Sequence, residues 1–456
     1  MSARAPAVAQ RVAVIGAGWA GCAAAVEATR RGHQVTLFES ARTAGGRARR
    51  VDGELNGQPL LLDNGQHILI GAYTDTLALM RDVGVEPDEA LLRLPLTLLY
   101  PNGTARRKLL KRNAPPQLAL RGLRLSELPA PLDALVGIAC ARGWSLRDKA
   151  GLLRVALRWR LAGFSCAPHQ SVAQLCRGLS PTIMAELMEP LCVSALNTPA
   201  ARASGQVFLR VLQDSLFGGR GGSNLLLPRQ DLSALLPSAA LSWLASRGAC
   251  LRLGERVTQL RRTSEPGTRH AWALSCAAAR PAESFDQVIL ACASHAAARL
   301  VANSGLPAQL WLERAAALTF EAITTVYTQG PGVTLPLPML ALSSDAVQPA
   351  QFVFDRGQLG GPAGLLAWVV SASGTDSEKL TAQVLTQARR QLGLTAVVAL
   401  QTIVEKRATF ACTPALQRPP AQVVPQLWAC GDYVDGPYPA TLEGAVRSGL
   451  AAARAL

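Results

Sequence analysis

What this 456-residue chain lacks narrows its class before any motif is read. It carries ten cysteines, yet no Cys-x-x-Cys pair and no paired Cys/His cluster of the kind that holds zinc. That excludes a disulfide scaffold and a zinc site, and no metal ligand is assigned. Cys22, Cys192, Cys292 and Cys430 sit in small or apolar neighbourhoods. They read as buried free thiols in a reducing compartment. No uninterrupted apolar run reaches about 18 residues, so no transmembrane helix is expected. Only a short polar and Ala/Pro lead, Met1 to Gln10, precedes the first apolar run, without the features of a signal peptide. Charged residues are scarce at 17% while apolar ones make up 49%, which excludes a disordered chain and allows large cores. The expectation is a cytoplasmic protein of roughly two to three domains, soluble or held at the inner face of the cell membrane. Acids are also few, 31 against 46 Lys plus Arg, giving a formal net charge of +15. Such an excess suits nucleic acid, a membrane surface or a phosphorylated ligand. No nucleic-acid motif accompanies it, so nucleic acid is set aside.

What is present begins with Val12 to Ile15, a short apolar run typical of a central parallel strand. It feeds into Gly16-Ala17-Gly18-Trp19-Ala20-Gly21. An Ala-rich helix is expected from Cys22 to Arg31, stopped by Gly32, and then a strand from Gln34 to Phe38 that ends at Glu39. Gly16 permits the tight turn, Gly18 lets backbone approach a pyrophosphate, and Gly21 lets helix and strand pack closely. The helix N-terminus offers unpaired N–H groups and the positive dipole end to phosphates. Glu39 follows Gly21 by 18 residues, where its carboxylate can accept from both ribose hydroxyls of an adenosine. An acid there also disfavours a 2′-phosphate, so NADP fits poorly. A lone glycine motif is weak evidence; strand, helix and acid at these spacings make it strong.

The continuation Glu39-x5-Gly45-Gly46-Arg47 resembles the motif of the amine oxidase and phytoene desaturase flavoproteins. The resemblance implies FAD as cofactor. It implies that Gly46 and Arg47 meet the pyrophosphate, and that Gly65 and Gln66 run beside the isoalloxazine ring. It further implies that the Val257 backbone touches the adenine and that Asp432, after Gly431, hydrogen-bonds the ribitol. A helix starting at Thr441 and Leu442 would aim N–H groups at the flavin pyrimidine. The segments Asp63 to Leu69, Pro190 to Pro199, Gln206 to Ser215, Leu227 to Ser233 and Gly431 to Tyr433 sharpen the match. Together they resemble the squalene-associated FAD-dependent desaturases, the hydroxysqualene dehydroxylases of hopanoid biosynthesis, from about Val12 to the C-terminus. The implied reaction is reductive removal of the hydroxyl of hydroxysqualene. Cys22 departs from that family's usual Leu. Thr441 stands where amine oxidases carry a cage aromatic, so amine chemistry fits less well.

The expected fold class is α/β, a discontinuous Rossmann-like FAD-binding domain with an inserted α+β substrate domain. The FAD-binding part is assigned to residues 10–88, 225–300 and 420–456, and the substrate part to 89–224 and 301–419. Residues 87–225, rich in Leu, Ala and Arg, read as a helical apolar unit suited to a polyprenyl chain. Gln351 to Asp355 and Leu365 to Val370 read as strands of a second sheet. Arg106 to Arg112 is the densest basic cluster and a candidate membrane contact. His67 and Tyr438 are the candidate catalytic groups, with Tyr433 a third. No second nicotinamide motif is evident, so a diffusible reductant or partner reductase is expected to reduce the flavin. Squalene-synthase-like pathway enzymes are further expected partners. A carotenoid or phytoene-type desaturase stays open on the flavin segments alone, as does a flavin-bound scaffold protein that hands isoprenoid onward.

Overall fold

A computed structural model describes residues 9–55, 57–101, 119–126, 128, 131–217, 219–263, 271–277 and 281–456. The Arg106 to Arg112 cluster lies outside them. Arg11–Ile15 forms the centre of a six-stranded sheet, and residues 12–15 are buried, which explains their unbroken apolar run. Gln34–Glu39 and Gln287–Leu290 flank it in parallel; Cys250–Leu253 and Leu427–Ala429 extend the parallel order outward. Gln422–Val424 closes one edge antiparallel. One sheet thus draws strands from the N-terminal, middle and C-terminal parts of the chain.

The first helix runs Trp19–Arg30, three residues earlier than the sequence suggested. Gly18 holds an extended conformation (φ −73°, ψ 179°) and acts as its N-cap, so the helix begins inside the glycine motif. Gly32, at φ +86°, ends it as expected. Its small buried face packs against the last helix, Leu442–Arg454. A Cβ on Gly449 would stand 2.2 Å from the Ala20 carbonyl oxygen, so the two ends of the chain meet where only small residues fit.

A second, antiparallel sheet has the order Met339–Ala341, Phe352–Asp355, Leu365–Ser373, Phe320–Gln329 and Val398–Phe410. The two strands read from the sequence are both here. The helix Ser377–Leu392 covers it, capped by Asp376 on the Lys379 N–H and ended by Gly393 at φ +68°. The middle unit corrects the helical expectation. Helices fill much of 132–217, but Thr97–Pro101 and Leu120–Arg124 pair as a ribbon, and Leu91–Leu94 pairs with Leu225–Pro228. Leu98 and Tyr100 are buried in the core, and that burial decides strand over helix. The fold class is α/β, as expected. All ten cysteines are free thiols; Cys22, Cys192 and Cys430 are buried, whereas Cys292 is only half-buried. Among the described residues no helix is long and apolar enough to cross a membrane.

Candidate active site

The sheet's C-terminal edge, the last helix and the second sheet enclose one cavity of about 980 Å³. Every site residue read from the sequence lines it except Gly21, which lies behind its wall. There a Cβ would come within 1.8 Å of the Gly16 carbonyl oxygen. Gly21 therefore sets the closeness of turn and helix, not a ligand contact.

The nucleotide end is a cradle of backbone. Gly45 donates its N–H to the Ala17 carbonyl at 2.8 Å, bringing the two glycine segments side by side. A Cβ on Gly18 would have only the Gly46 Cα within 4 Å, at 4.0 Å. The space before Gly18 is open, and the helix behind it has neither a side-chain cap nor an acid in its first turn. These are the conditions for an anion at a helix N-terminus. Glu39 sits at the far end with Arg256 and Val257 nearby in the lining. Its Oε2 accepts from the Ala17 N–H and its Oε1 from the Ala41 N–H, at 2.8 and 2.9 Å. Its remaining lone pairs are available to hydroxyl donors.

Arg47 and Asp432, expected at the pyrophosphate and the ribitol, both line the cavity. The Arg47 guanidinium pairs with Asp432 Oδ1 at 2.5 Å and donates to the Ala408 carbonyl at 2.6 Å. The two groups assigned to pyrophosphate and ribitol are thus bonded to one another, because opposite charges facing across a half-buried gap close onto each other. Gly431 is pinned by Ser448, whose Oγ accepts from its N–H at 2.8 Å. Beside it the Tyr433 hydroxyl is buried without a hydrogen-bond partner while its residue lines the cavity. An orphaned buried hydroxyl costs about 1–3 kcal/mol, which a ligand acceptor would recover. Open cradle, uncapped helix and orphaned hydroxyl all fit a dinucleotide cofactor.

At the start of the last helix, Thr441 Oγ1 accepts from the Gly444 N–H at 2.9 Å. Leu442 and Ala445 face the cavity. Glu443 turns away: fully buried, it accepts from the Asp75 and Thr76 N–H groups, from the Thr76 hydroxyl and from Arg447. It holds this helix to the helix Thr74–Asp82, a role the sequence did not disclose.

Gln66 lines the cavity beside Gly65 and His67. Its Oε1 accepts from Arg356 at 3.2 Å and its Nε2 donates to the His67 carbonyl at 3.3 Å, so the side chain braces the wall. His67 Nδ1 lies 2.8 Å from the Gly65 carbonyl. A carbonyl only accepts, so Nδ1 carries the proton and Nε2 is the free nitrogen. Burial pushes the His67 imidazole below its ordinary value; the Gly65 bond opposes this and the Arg47 charge adds to it. The net shift favours the neutral ring. Tyr438 is shifted upward by burial and by its bond to Asp214, with Arg447 and Arg210 opposing. Arg447 stacks 4.6 Å from the centre of its ring. Asp214, paired with Arg210 at 2.7 Å, was not singled out, although it lay inside the Gln206 to Ser215 segment. Leu191, Phe208, Leu212, Ile323, Met339 and Phe354 give the remaining walls an apolar surface.

Asp63, just before this segment, carries a pH signature. Burial raises its carboxyl to about 6; the Leu232 N–H bond and Arg356 hold it lower, and Asp231 pushes it higher. Unfolded, the group titrates near about 3.9. Between these values the folded chain keeps a proton that the unfolded chain has lost. This group's stability contribution is therefore present below about pH 4 and lost as pH rises through about 6, about 3 kcal/mol in all. Asp63→Asn should remove that fall, measured as the difference between variant and parent denaturation midpoints from pH 4 to 7.

A model of the family described as flavin containing amine oxidoreductase matches residues 19–456. The chain is 28% identical to a hydroxysqualene dehydroxylase of Rhodopseudomonas palustris over 461 residues, 97% of each chain. A zeta-carotene desaturase of Zea mays is 34% identical, but over 94 residues, 21% of this chain and 16% of the other. Among solved structures, an oxidoreductase of Methanosarcina mazei superposes with a TM-score of 0.71 at 15% identity, covering 97% of this chain and 99% of that one.

Proposed function

Because this chain belongs to the family of flavin containing amine oxidoreductases, we propose that it binds FAD and removes the hydroxyl of hydroxysqualene to give squalene and water. The observation that carries the reading is the two-ended cavity, a backbone cradle for a dinucleotide continuous with a chamber of aliphatic and aromatic walls. A long polyprene needs such walls and few polar partners. The full-length similarity to a hydroxysqualene dehydroxylase supports that substrate over a carotene.

Gly18, Gly46 and the first turn of the helix Trp19–Arg30 would hold the pyrophosphate, and Glu39 the adenosine ribose. Asp432 and the Tyr433 hydroxyl would hold the ribitol side, and the helix end at Thr441 the ring. When bound and reduced, the flavin supplies the hydride equivalent that replaces the departing hydroxyl. The protein's part is placement and proton supply. The apolar walls position the chain and exclude water. His67, its Nδ1–H held by Gly65, presents Nε2 to the cavity and accepts from the substrate hydroxyl in the neutral form. Its imidazolium form gives the proton that leaves with the hydroxyl. Tyr438 donates to Asp214 and is held under Arg447, which orients it as a wall, not as the acid.

Anaerobic mixing of the reduced flavoprotein with hydroxysqualene tests the reading. Flavin reoxidation together with squalene is the expected result. No reoxidation, or dehydrogenation of a carotene by the oxidised protein instead, overturns it; bound flavin with no turnover on either substrate identifies a scaffold. Since the imidazole sits below its usual 6.5, the rate should climb as pH falls through that region. His67→Ala should abolish the climb and cost about 100-fold at acidic pH. A pH profile identical to the parent's would remove His67 from the chemistry.

A further inference from the structure

Eight of the thirteen exposed large hydrophobic side chains among the described residues fall between Leu128 and Leu161. Seven of these eight lie on two neighbouring helices, Leu132–Cys140 and Leu146–Leu161, joined by a bond from Lys149 Nζ to the Ala139 carbonyl at 2.7 Å. The second helix is amphipathic twice over. Leu152, Val155 and Trp159 are its buried face and satisfy its packing on the core. Leu146, Leu153, Leu157 and Leu161 lie on the opposite side, within an arc of about 80° at about 3.6 residues per turn. Leu146 is 83% exposed, Leu157 56% and Leu161 80%. This stripe does nothing for the fold. On the first helix Leu132, Leu135 and Val136 are likewise exposed, at 53%, 45% and 39%.

Charge identifies what covers the stripe. Arg147, Arg154 and Arg158 border one side, and Lys149 and Arg160 the other, by the same helical geometry. The helix's one acid, Asp148, lies on the far side and closes a capping box with Ser145. A leucine stripe between two rows of cations repels a second copy of itself. It matches an anionic lipid surface, where the apolar side chains enter the acyl boundary and the cations meet headgroup phosphates.

We propose that the exposed face of the helix Leu146–Leu161, with Leu132, Leu135 and Val136 beside it, docks this protein on a bilayer of anionic phospholipid. The helix, about 24 Å long, lies flat in the interface and does not cross it. This goes beyond the reaction proposed above, and its test needs no substrate.

The flavin-loaded protein is floated with vesicles of phosphatidylcholine containing about one third phosphatidylglycerol, and with phosphatidylcholine alone. The parent should float with the anionic vesicles, less so as salt rises, and not with the neutral ones. A triple Leu153→Gln, Leu157→Gln, Leu161→Gln variant should partition at least about tenfold less, and Arg147→Glu with Arg154→Glu should do the same at low salt. Leu157→Gln alone should give an intermediate loss. All of these positions are exposed, so melting temperature and flavin content should match the parent. Three results overturn the proposal: no flotation of the parent, undiminished flotation of the folded variants, or a solution dimer that the leucine variant returns to monomer.

Discussion

Gly18→Val is expected to give a folded but colourless protein. The residue's own conformation, φ −73° and ψ 179°, suits valine without strain, and a Cβ there meets nothing closer than 4.0 Å. The new side chain therefore enters the open space in front of the helix Trp19–Arg30, the proposed place of the phosphates. It blocks at least two N–H bonds to charged oxygen, worth about 1.5–3 kcal/mol each, so flavin affinity should fall by two to four orders of magnitude. Gly21→Ala provides the contrast. Its Cβ would overlap the Gly16 carbonyl at 1.8 Å, so backbone must move and the fold itself is damaged. Flavin absorbance after equilibrium dialysis and the melting temperature of the cofactor-free protein separate the two. Should Gly18→Val retain flavin at parental affinity, the cradle is not the phosphate site.

Glu443→Ala should cause the largest loss of stability of any single change at the site, about 3–5 kcal/mol. The carboxylate is 0% exposed and satisfies two backbone N–H groups, a hydroxyl and Arg447 at once. Its removal leaves those donors buried and Arg447 with Asp75 as its remaining ion-pair partner. Because Glu443 sits between Leu442 and Gly444, the loosened helix start should also weaken flavin binding. Glu443→Gln keeps the acceptor oxygen but not the charge and should lose less. Chemical denaturation of all three proteins checks the order; equal midpoints for alanine variant and parent would refute the role assigned to Glu443.

The legible parts of this site are local. Gly16, Gly18 and Gly21 announce themselves because strand, turn and helix follow each other within twenty residues, and Glu39 closes the unit one strand later. Gly431 and Asp432, just after a short strand, and Thr441, at the start of the last helix, were readable in the same way. What was not legible is which side chains meet across long stretches of chain. Gln66 bonds Arg356, 290 residues on. Arg47 is drawn to Asp432 across 385 residues. Tyr433 gives no sign in the sequence that its hydroxyl will be buried without a partner.

The sequence by itself determined that a dinucleotide is held, because small residues, an acid and a dipole at set spacings need only local backbone geometry. It determined the flavin branch and the family through segments at both chain ends. Tertiary structure alone decided how those ends meet, through the close contact of Gly449 on Ala20. It decided that burial favours the neutral form of His67, while a carbonyl two residues back holds the proton on Nδ1. It also exposed a leucine stripe on the helix Leu146–Leu161, on which the proposed membrane contact rests. Helical periodicity is visible in that segment, but which of its two apolar faces the core takes depends on the rest of the fold.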